Sequence, residues 1–204
     1  VGYTGIRIRG SDASRVNITI NGFPFNDAES HGTYWVNLPD FVSSVEEIQV
    51  QRGVGTSTNG SGAFGASINI NTENPSKNPF SSLSSSFGTF ATFKNTLKFS
   101  TGISDSGFGF SGRLSYISSD GYIDRASSNL KSYFVQANYN SDIFNLKILR
   151  FAGHEKTYHA WYGIDAQSLK TNRKYNPAGE MYSDEGLFEG FYENQEDNYK
   201  QDHT

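Results

Sequence analysis

The sequence predicts a mainly β protein, and three observations carry that expectation. Phe occurs 16 times, Tyr 12 and Gly 21, against one Met and only 19% charged residues in a chain of 204. This balance suits pleated strands and tight turns better than helices. Between residues 81 and 151, apolar and polar residues alternate with the period of a strand. Finally, no run of 18 apolar residues exists, which excludes a transmembrane helix. A membrane β-barrel stays open, because its strands need only about 10 residues with one apolar face.

Up to about Thr72 the chain alternates short apolar strands with Gly and Asn turns: Ile6–Arg9, Val16–Ile20, Ile48–Val50 and Ile68–Ile70. One helix is expected between them. Asp40 would cap it, Phe41, Val42, Val45 and Ile48 recur near a helical period, and Glu46 and Glu47 fall in its early turns. This part is predicted to be a small mixed α/β unit.

From Ser81 to about Phe151 the alternation lengthens. Phe108, Phe110, Leu114 and Tyr116 share one face of a strand whose other face carries Gly109, Ser111, Arg113 and Ser115. The same texture recurs at Leu83 to Thr89, Leu97 to Gly102, Tyr133 to Tyr139 and Phe144 to Ile148. Ser104–Gly107 and Ser141–Asp142 are short turns, while Asp120–Lys131 and the stretch after Gly153 are longer. Short turns at one end and long polar loops at the other suit a membrane barrel, although a soluble β-sandwich alternates too.

Net charge is −4 and the pI is near 5.5, so there is no basic footprint for a nucleic-acid backbone. The last 25 residues hold eight acids against Lys200 alone, which predicts a solvated loop. With no cysteine, a disulfide scaffold and a thiolate metal site are excluded. The chain starts at Val1 without an initiator Met or a charged-then-apolar leader, and is expected to lie inside a longer precursor.

Constellations that could carry chemistry fail on context. Gly60 to Gly65 matches G-x-G-x-x-G, but a loop precedes it and a strand follows, so no helix N-terminus meets a pyrophosphate. His154 to His159 has one residue too many for H-E-x-x-H, and the spacing stacks the two histidines on neither a helix nor a strand. No carboxylate pair is set in apolar surroundings, and no G-x-S-x-G elbow exists. No catalytic residue, metal or cofactor is therefore expected. Tyr34, Trp35, Tyr158, Trp161 and Tyr162 form aromatic clusters suited to stacking on a ligand, or equally to a membrane girdle and loop packing.

Four blocks resemble the second half of the plug domain of TonB-dependent outer-membrane receptors, in that family's order. They are Ile6–Gly10, Val16–Pro24 ending in Ile-Asn-Gly-Phe-Pro, Val45–Gly53 (Val-Glu-Glu-Ile-Gln-Val-Gln-Arg-Gly), and Asn59–Ile70. Departures are Asn21 where the family has Asp, Val54 for Pro, Asn59 for Tyr, and Glu73 where Lys is common. The resemblance implies a fragment of a plugged transmembrane β-barrel. Its small mixed α/β plug half spans 1–75, and the first antiparallel barrel strands span 76–204, with a long extracellular loop from about 154.

What the resemblance implies functionally is import rather than catalysis. An outer-membrane receptor of a Gram-negative bacterium takes up a scarce nutrient such as a ferric siderophore, haem or cobalamin-like ligand. The partners are outer-membrane lipid, the nutrient itself and TonB, which engages an N-terminal box absent from this chain. Glu29, His31, Tyr34 and Trp35, on loops matching the plug apex, are the ligand-facing candidates. Arg9 and Arg52 match family arginines that pair with acids on the barrel wall, and Glu46 is a local alternative partner. The competing reading is a secreted β-sandwich carbohydrate-binding module using Tyr34, Trp35 and Trp161. The two differ in one property: a sandwich hides its apolar strand faces, whereas a barrel leaves Phe108, Phe110, Leu114 and Tyr116 toward lipid.

Overall fold

The computed structural model describes residues 4–54, 63–158, 160 and 162–192, together with the backbone of 196–203. Two sheets dominate it. The first is built from β1 (Val16–Ile20), β2 (Phe23–Pro24), β3 (Val45–Arg52) and β4 (Ala66–Thr72), in the order β2-β1-β4-β3. β1 runs parallel to β4, with Ile18 beside Ile68 and Ile20 beside Ile70, and β3 closes the sheet antiparallel to β4. Asn21 and Gly22 form the turn between β1 and β2 with φ of 50° and 84°, the left-handed pair that a two-residue hairpin demands. Asn21 also ties the ends of β1 and β4 together: Thr72 N donates to its Oδ1 at 3.0 Å, and its Nδ2 donates to Thr72 Oγ1 at 3.0 Å.

Two expectations for this region are corrected. Ile6–Arg9 is not a strand: an isolated bridge joins Ile8 to Ser11, and Ile6 and Ile8 pack against the core instead. The helix beyond Asp40 is only a 3-10 turn over Phe41–Ser44, and Glu46 and Glu47 lie on β3. Asp40 itself is left-handed (φ 56°) and makes no capping hydrogen bond. Val45, Ile48 and Val50 are β-branched and find partners in Thr72, Ile70 and Ile68, so tertiary pairing overrides a weak helical period. Among the described residues, this region holds no α-helix.

The second sheet is a wall of long antiparallel strands. β5 (Pro79–Gly88), β6 (Thr92–Ile103), β7 (Phe108–Ser119), β8 (Ser128–Asn140) and β9 (Asn145–Tyr158) pair in sequence order, each with the next. Turns 104–107 and 141–144 close one end. At the other lie 89–91, the longer 120–127, and a long excursion that contains α1 (Ala166–Thr171) and the hairpin of β10 (Glu180–Tyr182) with β11 (Phe188–Phe191). β9 runs to Tyr158, past the point where a loop was expected. The acidic tail is not all loop either, since β12 (Glu196–His203) pairs antiparallel with β9.

Burial on the wall is inverted relative to a soluble sheet. Phe108 is 60% exposed, Leu114 48% and Ile148 53%, whereas Arg113 and Gln136 on the opposite face are each 2% exposed. The polar face is covered because the first sheet sits against it. Val16, Ile18, Ile20, Leu38, Phe41, Ala66, Ile68 and Ile70 form one apolar cluster with the wall residues Phe134 and Phe151. Phe41 meets Phe151 at 5.0 Å between ring centroids and Phe134 at 6.3 Å. No helix among the described residues is long and apolar enough to cross a membrane.

Candidate functional site

The seam between the inner sheet and the wall is where charge concentrates. Asp40 Oδ1 accepts from Lys94 Nζ at 2.6 Å, and its Oδ2 accepts from Arg113 Nη1 at 3.1 Å and from the Ser115 hydroxyl. Ser43 Oγ donates to Oδ1 at 2.6 Å. Arg113 also donates to Ser44 Oγ at 2.6 Å and Ser132 Oγ at 3.1 Å. Burial pushes the Asp40 carboxyl up, but the bonds from Lys94, Ser115 and Ser43 and the Arg113 charge outweigh this and hold it below its ordinary value. One carboxylate thus offsets two cations, the arrangement a desolvated guanidinium requires.

Further links run along the same seam. Lys98 Nζ meets Glu73 Oε1 at 2.7 Å, so the unusual acid after Thr72 finds its base on the wall. Gln136 Nε2 donates to the Glu73 carbonyl at 2.6 Å and to Ser111 Oγ at 2.9 Å. Lys147 Nζ donates to Thr72 Oγ1 at 3.1 Å and Asn74 Oδ1 at 3.3 Å. Two glycines permit close approach. A Cβ on Gly153 would lie 2.7 Å from Pro39 Cγ and 2.8 Å from the Asn37 carbonyl. One on Gly65 would lie 2.8 Å from Ser11 Cβ. Gly65 N donates to the Arg15 carbonyl at 2.8 Å, and a strand follows it. That part of the glycine-rich run serves backbone packing, while Gly60, Ser61 and Gly62 lie outside the described residues.

The ligand-facing candidates divide. Glu29, His31 and Tyr34 are exposed on the loop after β2. Asp27 organises that loop: its Oδ1 accepts from Ser30 N at 2.7 Å, Ser30 Oγ at 2.8 Å and Glu29 N at 3.2 Å, and these bonds lower its pKa. Tyr34 OH reaches Ser30 Oγ at 3.3 Å, and His31 is left-handed at φ 56°. Trp35 is half-buried against the apolar cluster at the start of a 3-10 turn. Trp161 and His159 lie outside the described residues.

The anchoring candidates stand apart from the seam. Arg52 and Glu46 are exposed on β3, the edge of the inner sheet, and Arg9 is exposed with φ 52°. Among the described residues neither arginine makes an ion pair. The ion pairs that do cross the seam have the opposite polarity, with acids in the inner layer and bases on the wall. Sequence reasoning missed Asp40, Lys94, Lys98 and Gln136. It did place Arg113 on the polar face of its strand, and an arginine and lysines on the polar faces of otherwise uncharged strands were the available signal.

At the long-loop end, Arg125 stacks on Phe191 with 3.5 Å between the guanidinium carbon and the ring centroid. It also donates to the Ala178 carbonyl at 3.2 Å. This joins loop 120–127 to the later excursion. No group of acids and histidines that could hold a metal ion exists among the described residues.

Residues 1–67 match the family model described as the TonB-dependent receptor plug domain. A comparison with curated proteins found no match. Among solved structures, the chain is similar to the pyoverdine outer-membrane receptor FpvA from Pseudomonas aeruginosa. The TM-score is 0.63 at 13% identity, over 91% of this chain and 25% of that one. It is similar to the siderophore receptor PiuA from Acinetobacter baumannii, with a TM-score of 0.63 at 16% identity, over 90% of this chain and 23% of that one. It is also similar to the ferric-catecholate import receptor Fiu from E. coli K12, with a TM-score of 0.61 at 19% identity, over 76% and 22%. The chain spans about a quarter of the length of these receptors. Residues 1–67 thus match the plug domain of TonB-dependent receptors, and the chain as a whole shares the fold of these outer-membrane receptors.

Proposed function

We propose that this chain belongs to a TonB-powered importer in the outer membrane of a Gram-negative bacterium. Its cargo is a ferric siderophore or a similar scarce chelate such as haem or a cobalamin-like ligand. Residues 1–75 serve as the plug half and 76–204 as the first wall strands. The observation that carries this reading is the inverted wall: apolar side chains point away from the protein while Arg113, Ser115 and Gln136 are buried against the inner sheet. A sheet of that kind is stable when lipid covers its outer face and a wet plug fills its lumen. The names of similar structures, receptors for pyoverdine and for ferric catecholates, support the choice of an iron chelate.

In this reading Glu29, His31, Tyr34 and Trp35 face the ligand at the plug apex, with Tyr34 offering a phenol edge and Glu29 and His31 polar contacts. Arg9, Arg52 and Glu46 hold the plug to wall strands beyond this chain, while Asp40 and Glu73 hold it to the strands within it. Import requires the plug to move, and these ion pairs are what TonB must break from the periplasmic side. The test uses the full-length protein containing this chain. Cells expressing it are fractionated, the outer membrane is checked for a heat-modifiable band, and uptake of labelled ferric siderophores, haem and cobalamin is measured with and without TonB. TonB-dependent uptake that falls in a His31→Ala/Tyr34→Ala variant is expected. Folded protein in the outer membrane that imports none of these ligands would overturn the assignment.

A further inference from the structure

We infer that Asn26 is the positioning residue of the ligand-facing loop: its side-chain amide pins His31, and with it Glu29 and Tyr34, to the outer edge of β1. The inference rests on the receptor reading above. Asn26 acts on the cargo only through these neighbours.

β1 lies between β4 and β2, but β2 is only two residues long and pairs with Thr19 and Ile20 alone. The rest of that edge, around the buried Val16 and Ile18, needs other partners, because unpaired backbone groups out of reach of water are costly. Phe25 supplies the first, donating its N–H to the Ile18 carbonyl at 2.9 Å. Asn26 supplies the next two with its side chain. Its Oδ1 accepts from Ile18 N at 2.6 Å, and its Nδ2 donates to the Val16 carbonyl at 2.9 Å. A side-chain amide thus imitates a peptide group and extends the hairpin by one rung. The backbone is released at this point and leaves the sheet as loop 27–34.

The second hydrogen on Nδ2 controls that loop. It is donated to the His31 carbonyl at 2.8 Å, while His31 N donates to the Asp27 carbonyl at 2.9 Å. His31 is therefore held from both sides in left-handed backbone (φ 56°), a conformation that residues other than glycine keep only with support. Asp27 N closes the loop on itself by donating to the Gly32 carbonyl at 2.8 Å, and Asn26 ties the closed loop to β1. Polarity singles out the amide, since the three bonds need one acceptor and two donors on one short side chain. An aspartate would turn a carboxylate oxygen toward two carbonyls, and a serine has one hydrogen for both. A loop fixed before cargo arrives loses less conformational freedom on binding, and that gain appears as affinity.

The test uses the full-length protein in the outer membrane and measures TonB-dependent uptake against probe concentration. The probes are iron-labelled pyoverdine, an iron-labelled catecholate chelate, haem and cobalamin. In Asn26→Asp the concentration giving half-maximal uptake is expected to rise about tenfold with the maximal rate kept. A residue that merely supports the plug would instead lower the maximal rate and admit large antibiotics, so antibiotic exclusion and the heat-modifiable band are expected to stay native. Asp27→Asn keeps an oxygen for the bonds to Glu29 and Ser30 and should behave as native, whereas Asp27→Ala should follow Asn26→Asp. Backbone hydrogen exchange read by mass spectrometry should quicken over 27–34 in Asn26→Asp and stay unchanged over 66–72. An unchanged half-maximal concentration, or antibiotic leakage through Asn26→Asp, overturns the inference and leaves the receptor reading intact. Should Asn26→Asp fail to assemble, Asn26→Ser decides by the same measurements. Native protein that imports none of the probes overturns the receptor reading, and the exchange comparison then still decides whether Asn26 holds the loop.

Discussion

Arg113 of the wall and Asp40, just before the 3-10 turn of the inner layer, meet at 3.1 Å with side chains only 3% and 8% exposed. Asp40 also holds Lys94, but Arg113 has no adequate alternative partner, because Glu73, the other acid along the seam, is engaged with Lys98. Asp40→Ala is therefore expected to strand a buried guanidinium and destabilise the plug–wall contact by about 3–5 kcal/mol. Asp40→Leu combined with Arg113→Leu should recover much of that loss, since an apolar pair carries no desolvation cost. Sensitivity of cells to large antibiotics, with the full-length protein as the only large pore, reports plug displacement. Equal sensitivity in the native protein and in Asp40→Ala would refute the lock.

The same pair sets a pH dependence. The Asp40 carboxyl titrates below its unfolded value of about 3.9. Its contribution is thus fully present above that value and is lost as pH falls through the lower folded one. Acid should loosen the plug of the native receptor only below the ordinary carboxylate range, whereas the double leucine variant should show no such step. Pore conductance in planar bilayers across that range makes the comparison.

At Gly153 the inner-layer segment Asn37–Pro39 lies close against the wall. Any side chain there meets the Pro39 ring and the Asn37 carbonyl. Gly153→Val should cost about 1–3 kcal/mol through overpacking and push residues 37–39 off the wall. Pro39→Ala in the same protein should restore part of the loss. If thermal unfolding of the purified receptor is the same for Gly153→Val and native protein, the close approach does not constrain the plug.

Much of this architecture was legible in alternation alone. Phe108, Phe110 and Leu114 face outward and Arg113 and Ser115 inward, as a period of two requires. The pattern could not say which face would be buried, because the inversion depends on the inner sheet that packs against the wall. The region near Asp40 was misjudged for a related reason. Its acid, a following apolar pair and two glutamates mimic a helix start, yet the carboxylate is claimed by Lys94 and Arg113, which lie 54 and 73 residues away. Local sequence carries no trace of partners at that distance. The exposed loop residues Glu29, His31 and Tyr34 could be located from the resemblance, whereas the half-buried setting of Trp35 needed the packed cluster.

The outward face offers a contrast between neighbours. Leu114→Arg places a charge toward lipid and should cost about 2–4 kcal/mol if it lies near the bilayer midplane, reducing the fraction of heat-modifiable receptor. Phe134→Ala, on the inward face of the next strand, should cost about 3–5 kcal/mol through lost packing with Phe41 and Phe151. Its effect should appear as plug loosening with normal membrane assembly. Were Leu114→Arg to assemble normally and remain monomeric, the lipid-facing assignment of this face would fail.

The hairpin of β10 and β11 carries a titration signature outside the wall. Tyr175 OH donates to Glu180 Oε1 at 2.7 Å and Tyr182 OH to Oε2 at 2.6 Å. The Glu180 bond pushes the Tyr175 phenol up to about 12, and the two phenols hold the Glu180 carboxyl below its ordinary value. The arrangement is complete at neutral pH. It is lost on the acid side as pH falls through the lowered Glu180 value, and on the alkaline side as pH rises through about 12. Glu180→Gln removes the charge that opposes phenolate formation, so Tyr175 should then titrate nearer 10. The difference in phenolate absorbance between the full-length protein and its Tyr175→Phe variant isolates that one group. A Tyr175 titration that does not shift in Glu180→Gln would show that Glu180 does not organise the hairpin in solution.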